Sequence, residues 1–337
     1  MRTFWLTLLA VCPVVAAYTQ PQGQQKAPTF SVSVDLIKVP ITVLDEQGGS
    51  VTDLRTSDFR LYEDGRSQPI RSLSMDTNPV SVVLLIDSSG TVEKELKQIK
   101  EAAEGFAEAL SRGDRISVIT FADEVDELLD WTEDTKLVRK ALRKIESGLR
   151  TSLYDAMFQA AQEKMSAIDG RKAIILFTDF LNNQSVTSYQ DAVRAIVQSQ
   201  ASLYIVSKTV MVRQDATRQR RVVILNDIYR RLFPDSNYID EFFAKKEAEM
   251  TDLAEKTGGR CYFPANYNQI KGVYRQVAAE LKSQYFITYI SEQTMVPNTY
   301  HRITVEYLPP ASRLIYRKGY YYKPDPMFKL RPTNRNR

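Results

Sequence analysis

At 337 residues, 43% of them hydrophobic, the chain is long enough for two domains or for one large domain with additions. A formal net charge of +4, spread along the chain, gives no argument for nucleic acid as a partner. The single histidine, His301, excludes a multi-histidine zinc site, and a histidine-based catalytic triad, which would have to be built on that one residue, is not the expected chemistry.

In chain order, residues 1–17 read as a secretory signal. Arg2 is the short positive region, Phe4 to Ala17 is largely apolar, and Val15-Ala16-Ala17 offers the small residues a signal peptidase prefers. The apolar stretch is short for a membrane span, so no transmembrane segment is expected once the signal is removed. A lipobox reading of Leu9-Ala10-Val11-Cys12 is poor, because Val11 stands where a small residue belongs. Cleavage after Ala17 removes Cys12 and leaves Cys261, so the exported chain has no internal disulfide. Cys261 sits in Arg260-Cys261-Tyr262-Phe263 and is expected to be a buried thiol; an intermolecular bridge is the alternative.

Residues 18–29 are rich in Gln and Pro and read as a linker. Residues 30–78 form a β module of about four strands. Val32, Val34 and Leu36 alternate with polar residues, and Val39, Ile41 and Val43 continue the period of two. Asp58 to Gly65 reads as a strand closing in a tight hairpin at Glu63-Asp64-Gly65.

Residues 80–283 alternate strand and helix. Strands are expected at 80–87, 115–121, 125–130, 173–179, 202–207 and 259–263. Helices are expected at 92–111, 135–146, 153–167, 187–199, 239–257 and 267–282. Such alternation implies an α/β domain, a doubly wound, mostly parallel sheet of Rossmann-like type covered on both faces. The strand pair 115–121 and 125–130 reads as a hairpin that adds one antiparallel edge. A basic insertion at 208–237 carries Arg213, Arg218, Arg220, Arg221, Arg230 and Arg231. It is either a partner-binding element, with Arg220 and Arg221 as contacts, or a solvated loop leading into a helix from Val222 to Leu232.

Residues 284–323 return to β character, with strands at 285–290, 300–307 and 314–322. Residues 324–337 are Pro- and Arg-rich and are expected to be disordered. The two β segments bracket the α/β domain. The economical arrangement is one small antiparallel β domain built from both ends, with two separate modules as the alternative.

Three segments carry chemistry. Val82-Val83-Leu84-Leu85-Ile86-Asp87 is a buried strand ending on a carboxylate, and hydroxyls follow at Ser89 and Thr91. Alternation can turn Asp87, Ser89 and Thr91 to one side of the loop. Oxygen ligands at the carboxyl end of a parallel strand suit a hard divalent cation such as Mg2+. Thr151-Ser152-Leu153-Tyr154-Asp155-Ala156 and Ile174-Ile175-Leu176-Phe177-Thr178-Asp179 follow in order.

This ordered set resembles the metal-ion-dependent adhesion site (MIDAS) of von Willebrand factor A (VWA) domains. The wider pattern, through Asp58-Phe59-Arg60-Leu61-Tyr62-Glu63-Asp64-Gly65 and Arg317-Lys318-Gly319-Tyr320-Tyr321, resembles the bacterial VWFA-related family of acidobacterial type. The resemblance implies that Ser89, Thr91 and Thr151 ligate Mg2+ (or Mn2+ or Ca2+) directly, with Asp87 and Asp179 acting mainly through water. Taken with the signal-like N-terminus, such a site leads to the expectation of an exported protein, periplasmic, secreted or surface-held, that binds an acidic group of a protein partner; with no obvious general base or positioned nucleophile, no enzyme is expected. Three departures stand out. Thr91 replaces a serine, Arg150 stands where glycine often precedes the threonine, and Phe180 follows Asp179 where glycine is usual. Arg150 would repel a cation or help hold an acidic partner. Two other readings compete. One is an envelope scaffold with a vestigial metal site. The other is a phosphatase of haloacid-dehalogenase type, since Asp87-Ser88-Ser89-Gly90-Thr91 is also similar to D-x-D-G-T; there Ser89 replaces the acid that protonates the leaving group.

Overall fold

The computed structural model describes residues 36–90, 93–218, 231, 237–293, 296–310 and 313–322. The central element is β5 (Val80–Asp87), every residue of which is buried. Its side chains divide by parity. Val82, Leu84 and Ile86 enter one apolar cluster, and Val83 and Leu85 enter another on the opposite face. A strand buried on both faces needs this unbroken apolar run, and only helices on both sides can supply the cover.

Around β5 run β6 (Arg115–Phe121), β7 (Val125–Thr132), β8 (Arg171–Thr178), β9 (Ser202–Ser207) and β10 (Cys261–Tyr262). The sheet order is β10-β9-β8-β5-β6-β7, with β7 alone antiparallel. On the first face pack α1 (Glu93–Ala109), α2 (Thr135–Arg143) and, by Ile270, Tyr274 and Val277, the helix Tyr267–Ser283, here α7. The second face takes α3 (Leu153–Gln159), α4 (Tyr189–Ser199) and, by Met250 and Leu253, α6 (Tyr238–Lys256). Between them in sequence, α5 (Thr209–Arg218) follows β9.

The expected helix 153–167 divides. Its second half, Ala160–Met165, is a π turn from which Lys164 reaches Glu127 at 2.5 Å and Asp130 at 2.6 Å on β7. The expected strand 259–263 shortens to two residues, because Gly258 takes φ +81° and Gly259 passes so close to Leu203 that a Cβ would lie 2.0 Å from its carbonyl oxygen.

The flanking segments interleave. Strands β1 (Leu36–Leu44), β4 (Ile70–Met75), β11 (Tyr285–Ile290) and β13 (Arg313–Tyr316) form one antiparallel sheet in the order β13-β1-β11-β4. Strands β2 (Phe59–Glu63), β3 (Arg66–Gln68), β12 (Tyr300–Tyr307) and β14 (Gly319–Tyr321) form a second, β14-β12-β2-β3. The hairpin between β2 and β3 turns on Asp64 and Gly65, both at positive φ, as Glu63-Asp64-Gly65 predicts. Each sheet mixes strands from both ends of the chain, and both contribute to one core of Val39, Ile41, Leu61, Ile287, Tyr289, Ile303 and Tyr320.

The single strand expected at 314–322 is two strands in different sheets. The break falls at Arg317, whose buried guanidinium donates to the carbonyls of Gln200 and Lys38. Gly319 follows where any Cβ would meet the ring of Tyr300. In the core, Tyr289 and Tyr320 donate to Glu63 Oε1 at 2.9 and 2.6 Å, so a buried carboxylate joins β2, β11 and β14. Burial, with Glu63 close by, pushes both phenols upward.

Candidate functional site

The parallel strands β5, β8 and β9 end side by side, and each end delivers a polar residue into the same space. Asp87 is the last residue of β5 and is fully buried. Its Oδ1 accepts from the backbone N of Ser89 at 2.9 Å and from Ser89 Oγ at 2.5 Å. The carboxylate thus fixes its own loop, which turns back at Gly90 with φ +57°.

Thr151 comes from the loop before α3, and its Oγ1 donates to Ser89 Oγ at 2.8 Å. That loop is held against the first by a parallel bridge between Ser89 and Gly148 and by Gly90 N donating to Gly148 O at 2.9 Å. Asp123 receives the backbone N–H groups of Leu149 and Arg150 at 3.0 and 3.2 Å, and Asn183 receives that of Thr151 at 2.8 Å.

Asp179 follows β8 and is almost wholly buried; its Oδ1 accepts from Leu181 N at 3.0 Å. Burial drives this carboxyl up to about 6, with Lys208 opposing and Asp87 reinforcing the shift. Next in the chain, Phe180 takes the left-handed backbone, φ +63°, that glycine would take at no cost. Its ring is fully buried, edge-on to Tyr189 at 6.3 Å, with the Lys246 ammonium 6.0 Å from its centroid. The loop therefore keeps the glycine-type turn and gains an apolar anchor.

Two members of the site were not among the candidate ligands: Thr178, which lies within the third segment, and Lys208, which lies in none of the three. Thr178 Oγ1 donates to Asp87 Oδ2 at 3.1 Å and accepts from Phe180 N at 2.9 Å, tying β8 to β5. Lys208, the first residue after β9, is 3% exposed. Its ammonium lies 3.2 Å from Asp87 Oδ2 and 3.8 Å from Asp179 Oδ2, and it donates to Ser89 O at 3.0 Å. Burial alone would lower its pKa, but Asp87 and Asp179 outweigh burial and hold it above the ordinary lysine value. The rule that functional groups gather at the carboxyl ends of parallel strands was the signal available for Lys208, since Val206-Ser207-Lys208 ends an apolar run on a charge.

The structure thus brings together Asp87, Ser89, Thr151 and Asp179. Thr91 lies outside the described residues, as do Arg220, Arg221 and the expected helix from Val222 to Leu232, Arg231 apart. Arg150 sits at the rim and donates to Gln184 Oε1 at 2.9 Å. Two described residues of the basic insertion, read either as a partner-binding element or as a solvated loop, contact the domain itself. Lys208 points inward, and Arg213 pairs with Glu247 at 3.4 Å and Asp240 at 4.0 Å on α6.

The donor set fits a hard divalent cation. Two hydroxyls and two carboxylates, all oxygen, converge from three loops in a buried setting. Among the described residues no group of three or more His, Cys, Asp or Glu side chains could hold a metal, so any such site depends on hydroxyls.

Residues 82–182 match the von Willebrand factor type A domain as a family model. No curated protein matches the chain. Among solved structures it is similar to the vWF domain of the type V pili tip protein Mfa5 from Porphyromonas gingivalis, at 24% identity over 34% of this chain and 44% of that one, with a TM-score of 0.31. It is also similar to BatB from Bacteroides thetaiotaomicron, at 16% identity over 60% of this chain and 98% of that one, TM-score 0.41. The third is von Willebrand factor type A from Catenulispora acidiphila, at 13% identity over 87% and 74%, TM-score 0.42. The chain spans less than half the length of the pilus-tip structures it matches. Lys208 lies beyond the matched segment.

Proposed function

We propose that this chain, which carries a von Willebrand factor type A domain at residues 82–182, is an exported, non-catalytic interaction protein. In this reading the domain binds an acidic group of a protein partner through Mg2+, Mn2+ or Ca2+, held by Asp87, Ser89, Thr91, Thr151 and Asp179. The observation that carries it is the contact chain Asp87 Oδ1–Ser89 Oγ–Thr151 Oγ1, at 2.5 and 2.8 Å, which gathers oxygen donors from two loops.

A cation held largely by neutral hydroxyls keeps much of its charge and attracts a carboxylate from outside. The chain's own groups supply position and burial. Asp87 has both oxygens engaged, and His301 lies in the β sandwich against Asp64, so neither stands ready as a general base at this site. Arg150 at the rim would meet the acidic partner. Export rests on the signal-like residues 1–17. Among the described residues, no helix is long and apolar enough to cross a membrane.

Calorimetric titration of Mg2+ and Mn2+ into chelator-stripped protein tests the reading, beside Thr151→Ala, which removes a hydroxyl without stranding a charge. Saturable binding that weakens or vanishes in Thr151→Ala is expected. Undiminished binding in that variant would overturn the ligand assignment. One observation favours a second reading, a scaffold that needs no cation: Lys208 already supplies positive charge to the two carboxylates. No binding by the wild type or by a variant lacking that ammonium would favour the scaffold.

A further inference from the structure

We infer that Lys208 is a tethered counter-cation of this site: it holds the oxygen cluster in shape before a divalent ion arrives and makes tight binding of that ion depend on an acidic partner. The inference rests on the cation-site reading above and deepens it by assigning the regulation of that site.

The backbone leaves Lys208 little freedom. Its N–H donates to Thr178 O at 2.9 Å, continuing the register in which Thr178 pairs with Ser207. The next residue opens α5, and its hydroxyl is tied to Ser207 Oγ at 2.8 Å and to Glu247 Oε1 at 2.9 Å. Lys208 O accepts from Val212 N at 3.0 Å in the first turn. From this fixed base the side chain is directed into the site. Its ammonium donates to Ser89 O, lies within hydrogen-bond reach of Asp87 Oδ2 at 3.2 Å and faces Asp179 Oδ2 at the ion-pair distance of 3.8 Å.

The charge balance then decides the behaviour. Asp87 and Asp179 contribute −2 and Lys208 contributes +1, so the buried group carries −1. Adding a divalent ion gives +1, an excess positive charge in a place with little water. A partner carboxylate brings the sum to zero. Without Lys208 the ion alone would do so, and the acidic partner, still drawn to the ion, would gain less from its presence. Lys208 therefore couples the two ligands: each binds better in the presence of the other, by the same factor. The ammonium also bonds to Ser89 O, so the loop bearing the hydroxyl ligands keeps its place while no divalent ion is bound.

The experiment is titration of Mn2+ alone into the full, chelator-stripped chain at a pH above the Asp179 value of about 6. The proteins are wild type, Lys208→Met and Lys208→Arg. Lys208→Met is expected to bind at least about tenfold more tightly than wild type, since a like charge a few ångströms away has been removed. Lys208→Arg, which keeps the charge, is expected to bind less tightly than Lys208→Met. Equal affinity in wild type and Lys208→Met overturns the inference and leaves the cation site standing. Absence of binding in all three overturns the cation site, and the inference with it. A readout on the unaltered chain covers poor folding of the variants: the Lys208 ammonium nitrogen resonance, followed as Mg2+ is added. A shift that saturates with Mg2+ is expected. A resonance unchanged while other site signals saturate overturns the inference.

Discussion

The ammonium of Lys208 lies 3.2 Å from Asp87 Oδ2, and neither side chain reaches solvent to any useful extent. Removing one member of a buried pair costs more than removing both, because the survivor keeps its desolvation penalty. Asp87→Ala should therefore destabilise the metal-free protein by about 3 kcal/mol or more. Asp87→Ala with Lys208→Met should cost less than the sum of the two single changes. Urea denaturation of the four proteins in chelator gives the cycle; strict additivity would refute the coupling. Loss of cation binding in Asp87→Ala must accordingly be read beside its stability.

Phe180 makes a second prediction possible, because strain and burial act in opposite directions at one residue. Phe180→Ala loses the ring and keeps the left-handed backbone. Phe180→Gly loses the ring and relieves a strain of about 1 kcal/mol. Both should destabilise by a few kcal/mol, with Phe180→Gly the milder by about 1 kcal/mol. The order of their thermal midpoints checks this.

Gly148 sits where two loops touch. A Cβ there would lie 2.5 Å from both Ala122 Cβ and Asp123 Oδ2. Gly148→Ala should push the Thr151 loop away from Ser89, costing about 1–3 kcal/mol and weakening Mn2+ binding more than Arg150→Ala does. Parallel titrations of the two variants compare a broken scaffold with a trimmed rim.

The pH dependence follows from Asp179. Burial pushes its carboxyl up to about 6 in the folded protein, above the ordinary aspartate value of 3.8. Between these values the folded state binds more protons than the unfolded one, so this group makes stability fall as pH rises from about 4 to 6. The loss is on the order of 1–3 kcal/mol. Asp179→Asn should remove this slope in chelator. Cation affinity should change the opposite way in the wild type, rising through the same window as the carboxyl ionises. Urea midpoints and Mn2+ titrations across that range test both.

The α/β core was legible because its signals are local. β5, β6, β9, β11 and β12 begin and end where apolar runs and alternation place them. Asp87, Ser89, Thr151 and Asp179 could be found because each ends a strand or opens a helix within a recognisable spacing. Lys208 left only a faint trace, an apolar run ending on a charge, because one lysine heading a basic stretch looks like any solvated charge and the parallel register of β8 and β9 is what turns it inward. The division of 313–321 into two strands was equally hidden. Tyrosine-rich alternation runs unbroken there, and the change of sheet is decided by contacts of Arg317 with residues far away in sequence.

The shared carboxylate of Glu63 has a consequence for how the chain is made. Its partners Tyr289 and Tyr320 lie 226 and 257 residues further on. While the polypeptide is being synthesised from its amino end, the α/β core can finish first, and β1 to β4 must wait with open edges. Their closure is expected to come late, because these contacts are distant along the chain and carry a loop-closing cost that the folded insert reduces. A chain interrupted before residue 285 would keep a folded core beside bare strand edges. Those edges offer another molecule the same backbone pairing that β11 and β13 would have supplied.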